Sequence, residues 1–533
     1  MSLMRSAMTV GGMTLLSRLL GFVRDVLLAA LLGAGWVAEA FVVAFRLPNL
    51  FRRFFGEGAF NAAFVPLFAG RLEREGEQGA RRFAEEAFAG LLFVLLLLTL
   101  AAELFMPALV YALAPGFAAE PEKFRLTVLL TRITFPYLLC MSLLALLSGV
   151  LNSLHRFALA AFAPVLLNVV FIAILLYGWF LGLHGSPRLG VLLAAGVTFS
   201  GALQVALLWA AARRAGFPIR LRRPRYTPGM KRLVQLGVPG LIAGGITQLN
   251  LVISTIIASW QKGAPAWLYY ADRLYQLPLG LVGVAIGVVL LPDISRKLRA
   301  GDAKGVRESQ NRALEFALFL TLPAAMALMA MPAAVVQVLF ERGAFTHADT
   351  LATARALAAF AAGLPAFVLI KVFSPAFFAR EDTRTPMIFA AISVAINIAL
   401  AFALFPWFGH VGIALATTTA SWVNALLLAR ALHARDYWHT DAQVRRNIPR
   451  MMLGALVMGA ALLTAMIALA DRFTPETPFW ARLLWLLALV FGGAALYLGL
   501  SWKLRVLTSD MLRRALRRTP RKPQNAASEE TGS

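Results

Sequence analysis

The chain has 533 residues, of which 59% are hydrophobic and only 15% are charged, and its mean hydropathy is +0.72. This composition excludes an ordinary soluble enzyme and is typical of a membrane protein with many spans. The single cysteine, Cys140, lies in an apolar run, so the sequence offers neither a disulfide framework nor a thiolate metal site.

Hydropathy and helix-breaking residues predict an all-α polytopic membrane protein with about 14 spans. The first 33 residues are interpreted as a span rather than a signal peptide, because Arg18 and Arg24 interrupt their apolar core. The predicted limits are 8–33, 36–68, 85–112, 125–151, 158–181, 189–212, 233–260, 266–295, 313–340, 350–379, 386–405, 411–431, 451–470 and 480–502.

A net charge of +24 could reflect a nucleic-acid partner, but the distribution of the charge argues against one. With the N-terminus in the cytoplasm, the predicted inner loops and the C-terminal tail hold 34 Lys and Arg residues, whereas the outer loops hold seven. This asymmetry is the positive-inside pattern. It predicts that both termini are cytoplasmic and accounts for most of the charge without nucleic acid.

Weak internal similarities predict that the chain contains two homologous halves. FVPLFAGRL at 64–72 resembles LLPDISRKL at 290–298. Three further matches follow in the same order at a nearly constant separation, namely 114–117 with 342–345, Pro136 with Pro365, and Asn168 with Asn397. The predicted divisions are 1–220 and 221–435 for two six-helix lobes, 436–505 for two additional helices, and 506–533 for a basic and polar cytoplasmic tail.

Each half contains an even number of predicted spans, so both halves enter the membrane from the same side. They are therefore expected to be related by pseudo-symmetry about an axis along the membrane normal, with a central cavity at their interface.

Residues 17–60 contain enough apolar residues for two spans but carry eight charges. A charge at the centre of a spanning helix costs about 2.5–3.5 kcal/mol even on a lenient insertion scale. Snorkelling to a membrane surface can explain one such arginine, but it explains poorly five arginines in adjacent helices. We therefore expect a cavity that solvates them. The cations are Arg18, Arg24, Arg46, Arg52 and Arg53, and the acids are Asp25, Glu39 and Glu57.

Helical geometry places Arg18, Gly21 and Arg24 within an arc of about 120°, so they could form a broad cavity wall in which the glycine permits close approach. Pro48 is expected to kink the second span, which leaves the register of Arg52 uncertain relative to Glu39.

Cations elsewhere in the spans have simpler interpretations. In the second half, Asp272 and Arg273 are adjacent, and a neutralised pair is the favoured interpretation of that pair taken alone. Lys371 is expected to snorkel or to neutralise a neighbouring dipole, and Arg132 and Arg355, which lie near span ends, are expected to snorkel. The acids within spans could neutralise nearby arginines or couple transport to protons, and the sequence leaves both readings open.

Several chemistries lack their sequence signatures. The chain has no GxxxxGK[ST] motif, so a nucleotide-driven pump is not indicated. Its six histidines lack metal-ligand spacing. No aspartate-rich motif that would hold magnesium against a prenyl diphosphate is present, which weakens the case for a membrane enzyme acting on such a lipid. Arginines facing one cavity instead favour an anion, since guanidinium groups bind phosphate oxygens in bidentate fashion.

Five motifs carry a resemblance to a known family. SRLLGFVRD, WVAEAF, RLPNLFRRFFGEGAF, FVPLFA and YYADRL, together with the fourteen-span plan, resemble the MurJ (MviN) lipid II flippases of the multidrug/oligosaccharidyl-lipid/polysaccharide exporter superfamily. The resemblance implies movement of the undecaprenyl-diphosphate-linked peptidoglycan precursor from the inner to the outer leaflet of the bacterial inner membrane. Alternating access of the two halves would perform this movement.

The resemblance also implies roles for particular residues. Substrate-binding arginines fall on Arg18, Arg24, Arg52 and Arg273, and supporting or gating residues fall on Ser17, Gly21, Asp25, Glu39 and Glu57. Glu39 is a mild departure, because the family often has Asp there. Gln276 is an amide where some members carry an acid, and no sodium ligand is assigned.

The expected partners are lipid II, membrane lipids and cell-wall synthesis proteins. No cofactor is expected, and a membrane potential or an ion gradient would drive the cycle. Two alternatives stay open at this stage: another exporter of the superfamily, for drugs or lipid-linked saccharides, and a polyprenyl-diphosphate membrane enzyme.

Overall fold

The computed structural model describes residues 3–55, 59–474 and 476–506. These residues form 18 α-helices and two short 3₁₀-helices, with no strand in this part of the chain, so the predicted all-α class is confirmed. The helices are α1 Leu3–Leu32, α2 Trp36–Phe55, α3 Ala59–Leu104, α4 Met106–Leu113, α5 Pro121–Thr134, α6 Tyr137–Ser153, α7 Phe157–Phe180, α8 Pro187–Arg214, α9 Pro228–Ala258, α10 Ala264–Arg299, α11 Ala303–Ala330, α12 Pro332–Phe340, α13 His347–Ala361, α14 Leu364–Phe378, α15 Arg384–Phe408, α16 His410–Ala434, α17 Ala442–Ala468 and α18 Phe479–Lys503.

Several helices begin at side chains that cap their first turn. Asp302 accepts a hydrogen bond from the Gly305 N–H at 2.7 Å at the start of α11. Asp441 does the same for the Val444 N–H at 2.7 Å at the start of α17. Thr346 begins α13 within a capping box that includes Asp349. These caps satisfy backbone donors that have no partner within the helix.

Ten helical segments of the described chain are long and apolar enough to cross a membrane. The remaining four predicted spans correspond to α1, α2, α9 and α10. Charged residues interrupt the apolar pattern of α1 and α2. The uncharged apolar runs 233–258 of α9 and 274–291 of α10 include residues whose side chains lie outside the described part of the chain, and Gln248–Ala258 is the described apolar stretch of α9.

Some predicted boundaries require correction. Residues 71–86, predicted as a loop, are helical, because α3 continues through them with a turn at Gly76, whose φ is 70°. Glu85 holds this segment in place: it pairs with Arg222, and its Oε1 accepts the N–H of Arg220 at 3.0 Å. The predicted span 36–68 is divided between α2 and α3, and the span 125–151 is broken between α5 and α6.

The helices pack both within and between the predicted halves. In the first half α1 packs on α7, α2 on α5, and α3 on α6, and in the second half α9 packs on α15, α10 on α13 and α14, and α14 on α16. Helix α17 packs on α11, and α18 packs on α17 and α12. The halves meet where α2 and α3 contact α9 and where α2 contacts α10. The residue limits of the four divisions remain predictions.

Two asparagines that match in the internal repeat hold equivalent positions. Asn168 on α7 donates to the backbone carbonyl of Ser17 on α1 at 2.9 Å. Asn397 on α15 donates to the side chain of Asn250 on α9. Both are buried, so each half uses a buried amide to bind its first helix to its fifth predicted span. Such buried amides need partners, which ties the helices together at a defined register.

The matching loops 114–117 and 342–345 make reciprocal contacts between the halves. The N–H of Gly116 donates to Ser259 Oγ at 3.0 Å, just after α9 ends. The N–H of Ala344 donates to the carbonyl of Ala30 at 2.8 Å, near the end of α1. Each half therefore places a loop against the first helix of the other half, on the side predicted to face outward.

Both loops approach so closely that only glycine fits. A Cβ at Gly116 would lie 2.2 Å from the carbonyl oxygen of Ser259, and a Cβ at Gly343 would lie 2.2 Å from that of Ala30. Gly343 also has a φ of +59°, a left-handed conformation that is unfavourable for other residues.

We expect Gly343→Ala to lower the unfolding temperature of the purified protein by several degrees. The added methyl group would push the loop away from α1, and the left-handed backbone would cost about 1–2 kcal/mol more. Thermal unfolding in detergent measures the change. Gly35→Ala is the control, because nothing lies within 4 Å of that position. Equal unfolding temperatures for the two variants would contradict a rigid contact at Gly343.

Candidate functional site

A cavity of about 910 Å³ lies between the two halves. Among the described residues, five cations and two carboxylates line it, which leaves three positive charges in excess. The cations are Arg18, Arg24, Arg46, Arg273 and Lys371, and the acids are Asp25 and Asp272. Both halves contribute cations. An excess of positive charge inside a largely apolar bundle favours the binding of an anion.

Helix α1 forms one wall of the cavity. Ser17, Arg18, Gly21, Arg24 and Asp25 all line it, as the helical spacing predicts for the arc that contains the two arginines. All the site residues predicted on α1 therefore lie in this wall.

Asp25 is the ionic centre of the cavity and is almost fully buried. Its Oδ1 accepts hydrogen bonds from Arg24 Nη2 at 2.8 Å, from Arg24 Nε at 3.0 Å and from the hydroxyl of Tyr269 at 3.1 Å. Its Oδ2 lies 3.6 Å from Nε of Arg273, which belongs to the other half. The carboxylate therefore joins one cation from each half.

Asn168 completes the environment of Arg24. Its Oδ1 accepts from Arg24 Nη1 at 3.0 Å, while its Nδ2 donates to the Ser17 carbonyl. The guanidinium also lies 5.5 Å from the ring centroid of Phe171. These contacts hold the Arg24 side chain in one orientation toward the cavity. Asn168 was identified from the sequence only as a repeat marker, and its buried position gives it this supporting role.

Arg273 interacts differently from the sequence-based interpretation. That interpretation favoured neutralisation by the adjacent Asp272, whereas the structure places Arg273 against Asp25 and 4.8 Å from the ring centroid of Tyr269. Asp272 accepts a hydrogen bond from Gln276 one turn further along α10. Adjacency in sequence identifies the carboxylate partner of Arg24, which binds its neighbour Asp25, but it did not identify the contact of Arg273 with the other half.

Arg46 is a cavity residue that the predicted substrate set omitted. Its Nη1 donates to Thr255 Oγ1 on α9 at 2.5 Å, across the interface between the halves. Its presence among the cations of α2 was the signal available in the sequence. Tyr269 was also omitted from the predicted site, and only its position next to Asp25 in the folded chain reveals its role.

Arg18 and Lys371 come from opposite halves and lie against the same helix, α10. A Cβ at Gly280 would lie 2.2 Å from Arg18 Nη1, and one at Gly283 would lie 2.6 Å from Lys371 Nζ. The two glycines therefore make room for two like charges. Lys371 lines the cavity rather than snorkelling, so that expectation is corrected. Neither cation has an ion-pair partner within the described part of the chain.

Three predicted supporting or binding residues are not seen in the cavity. Glu39 is buried on the side predicted to face outward, where it pairs with Lys123 and its Oε1 accepts the N–H of Gly263 at 2.5 Å. It therefore links the halves away from the cavity lining. The side chain of Arg52 and the whole of Glu57 lie outside the described residues.

The described residues contain no group of three or more His, Cys, Asp or Glu side chains that could hold a metal ion. The chemistry available in the cavity is that of guanidinium, ammonium, amide and hydroxyl donors. Such donors are suited to phosphate oxygens.

Comparison with known proteins identifies relatives along nearly the whole chain. A family model described as "Lipid II flippase MurJ" matches residues 28–484. A protein of Rhizobium meliloti (strain 1021) named "Probable lipid II flippase MurJ" is 52% identical over 519 residues, covering 97% of each chain.

Solved structures agree with this similarity. The structure titled "Lipid II flippase MurJ, inward closed conformation" is 26% identical, with a TM-score of 0.75, and the match covers 95% of this chain and 99% of that one. An inward-facing multidrug resistance MATE family transporter of the MOP superfamily is 14% identical with a TM-score of 0.66, covering 80% and 98% of the two chains, and shares the fold alone.

A double-mutant cycle tests the link between Asp25 and Arg273. Asp25→Asn and Arg273→Gln are each expected to lower the free energy of unfolding, but the double variant should lose less than their sum. The expected coupling is about 1 kcal/mol, the size typical of a partly exposed pair. Denaturant titration in detergent measures it. Asp25→Asn combined with Arg355→Gln is the control, which should be additive; additivity in both cycles would contradict the link.

Proposed function

This chain belongs to the lipid II flippase MurJ family, and on that premise we propose how its cavity carries the lipid-linked peptidoglycan precursor from the inner to the outer leaflet. The protein is a membrane transporter of the cell-wall pathway and not an enzyme. The observation that carries the mechanism is the excess of three positive charges in the central cavity. An acidic cavity would instead suit the cationic drugs handled by many other exporters, and the relatives are named as lipid II flippases.

The diphosphate of the precursor is the group that matches this charge. It carries about two negative charges and presents several acceptor oxygens, which guanidinium groups can bind in pairs. Arg18 and Lys371 are available to it first, because no described carboxylate pairs with either. Arg24 and Arg273 lie deeper in ionic contact with Asp25, and the diphosphate reaches them by competing with that carboxylate.

This competition connects binding to movement of the two halves. In the structure Asp25 Oδ2 on α1 lies 3.6 Å from Arg273 Nε on α10. A bound diphosphate replaces Asp25 as the partner of Arg273, which weakens an ionic contact between the halves. Binding then shifts the equilibrium toward a conformation in which the halves have rocked apart on the outer side. A ligand can shift an equilibrium between two conformations only if it binds one of them more tightly than the other.

The hydrocarbon tail of the precursor stays in the bilayer while the head group crosses. The last two helices, α17 and α18, pack on the outside of the second lobe through α11 and α12. A groove along these two helices would hold the tail beside the cavity. The apolar tail then never enters the polar cavity, and the head group never enters the hydrocarbon.

The excess charge also suggests how the empty carrier returns. Displacement of one charge through a potential of 100 mV is worth about 2.3 kcal/mol. The empty cavity carries three excess positive charges, and a bound diphosphate reduces that excess. A membrane potential that is negative inside therefore stabilises the inward-open conformation. The effect is larger for the empty carrier than for the loaded carrier, because the empty carrier has more positive charge. We accordingly favour the membrane potential over an ion gradient as the energy source, with no cofactor.

The protein is a multi-pass membrane protein, and ten segments within its described residues are apolar enough to span. Placement in the bacterial inner membrane with both termini cytoplasmic is supported by the positive-inside distribution of charge. Cell-wall synthesis proteins that make or use lipid II are the proposed partners on the two sides, with no role for nucleic acid.

Leaflet exchange of unmodified lipid II in proteoliposomes tests the proposed function. Arg24→Ala and Arg273→Ala should each lower the transport rate at least tenfold, because each removes a charge-assisted contact worth about 1.5–3 kcal/mol. Arg355→Ala is the matched control: this arginine lies on α13 outside the cavity lining, and its variant should transport normally.

Normal transport by the Arg24 and Arg273 variants would contradict the site. A chemically altered lipid recovered from the vesicles would point to an enzyme instead. Retained binding without transport by either variant would place that arginine in the conformational step rather than in binding.

Gly280→Ala tests the placement of Arg18. The added methyl group would displace the flexible end of the Arg18 side chain rather than backbone, so the unfolding temperature should change little. Lipid II affinity should fall several-fold, because the guanidinium leaves its position in the cavity. Gly492→Ala on α18, where nothing lies within 4 Å, is the control. Unchanged affinity in Gly280→Ala would show that Arg18 does not bind from this position.

A further inference from the structure

A second cavity, of about 780 Å³, lies at the end of the second lobe that carries the C-terminus. Its walls come from the first turns of α11, from the segment joining α16 to α17 with the first turns of α17, and from the residues after α18. It is remote from the central cavity and shares no lining residue with it. Its lining is Lys304, Arg307, Glu308, Asn311, Arg312, His439, Thr440, Asp441, Gln443, Arg446, Asn447, Arg505 and Val506.

Five cations face this cavity, and two of them are already paired. Arg312 pairs with Glu315 and with Asp441. Arg307 Nη1 lies 3.8 Å from an Asp436 carboxylate oxygen.

The other three cations, Lys304, Arg446 and Arg505, have no ion pair or side-chain hydrogen bond among the described residues. Glu308 is the one carboxylate of the lining without a partner there. The unpaired groups therefore leave an excess of positive charge that suits an anion with more than one oxygen.

The cavity walls are held in place by buried amides. Asn311 donates to the carbonyl of His439 at 3.1 Å and accepts from Trp438 Nε1 at 2.8 Å, which fixes the segment before α17 against α11. Asn447 donates to Glu315 Oε1 at 2.9 Å. Its Oδ1 is buried without a hydrogen-bond partner among the described residues. Such an acceptor suits a ligand that also carries a hydroxyl group.

The position of the cavity along the membrane normal indicates the source of the anion. Arg505 follows the end of α18, a spanning segment, and the neighbouring Trp502 is 56% exposed. Arg446 precedes Met452 and Leu453 on α17, both exposed on the apolar surface. Exposed tryptophan at a span end and basic residues just beyond it are typical of the membrane–water interface, where lipid phosphates lie.

We propose that this second cavity binds the phosphate of an anionic glycerophospholipid, with Lys304, Arg446 and Arg505 as its ligands. The lipid belongs to the leaflet on the C-terminal side, which is the cytoplasmic leaflet in the orientation proposed above. Bound there, the headgroup bridges α11, α17 and the end of α18, and so fastens the two additional helices to the second lobe. The site is separate from the substrate cavity, so its test is independent of lipid II transport.

Photo-crosslinking of the full-length protein tests the site directly. The protein is reconstituted in nanodiscs of phosphatidylethanolamine with a small fraction of photoactivatable phosphatidylglycerol, and adducts are mapped by peptide mass spectrometry. Adducts are expected in the peptides that contain residues 304–312, 439–447 and 503–506. The variant Lys304→Gln/Arg446→Gln/Arg505→Gln should reduce these adducts at least tenfold.

The matched control is Arg223→Gln/Arg225→Gln/Arg232→Gln. It removes the same amount of charge from exposed positions, two in the linker between the halves and one near the start of α9. It should leave the adducts unchanged. Equal loss in both triple variants would show a general surface-charge effect and would overturn the site, as would adducts that map to α1 and α10.

Inorganic phosphate, added at millimolar concentration, distinguishes a lipid from a soluble ligand. It should not displace phosphatidylglycerol; complete displacement by phosphate would overturn a lipid as the occupant. A photoactivatable phosphatidylethanolamine probe that labels the same peptides as strongly would overturn the preference for an anionic headgroup.

Discussion

The contact of Asp25 with Arg24 and Arg273 is the interaction on which the rest of the structure depends. One carboxylate is shared by two arginines, one from each half of the protein; Asp25 and Arg24 are buried, and Arg273 is partly exposed to the cavity. A buried carboxylate without cations, or buried arginines without an anion, would cost several kcal/mol. The shared carboxylate avoids both costs while leaving the cavity positive overall. Binding energy from an anionic head group can therefore act directly on a contact that joins the halves.

The distribution of charge among the helices follows from the same requirement. Helices α1, α2 and α10 carry charges that a bilayer would not accept, and each faces the cavity. Ten segments of the described chain are apolar enough to cross a membrane. Gly280 and Gly283 leave α10 without side-chain volume at the places where Arg18 and Lys371 need room.

The two ends of the central cavity are built differently. On the side predicted to face outward, the halves are joined by short-range contacts: two glycine-containing loops against the ends of α1 and α9, and Glu39 against the Gly263 N–H. These contacts depend on close approach, so they are lost together when the halves separate. Farther inside, the halves are joined by the ionic contact at Asp25, which a ligand can exchange. In the proposed transport cycle, the first set of contacts would close the outer side of the cavity and the ionic contact would respond to the substrate.

The sequence by itself determined the class of protein, and it predicted the topology and the chemical character of the ligand. Span length, the positive-inside pattern and the repeat are local or additive properties of the chain, and Arg18, Arg24 and Asp25 share one helix, so their placement on one wall follows from helical geometry. The tertiary structure alone decided which charges meet. Arg273 lies beside Asp25 of the other half in addition to its neighbour Asp272, Lys371 enters the cavity, and Glu39 lies outside it. Pairings between residues far apart in sequence depend on how whole helices pack, and no local pattern in the chain encodes that packing.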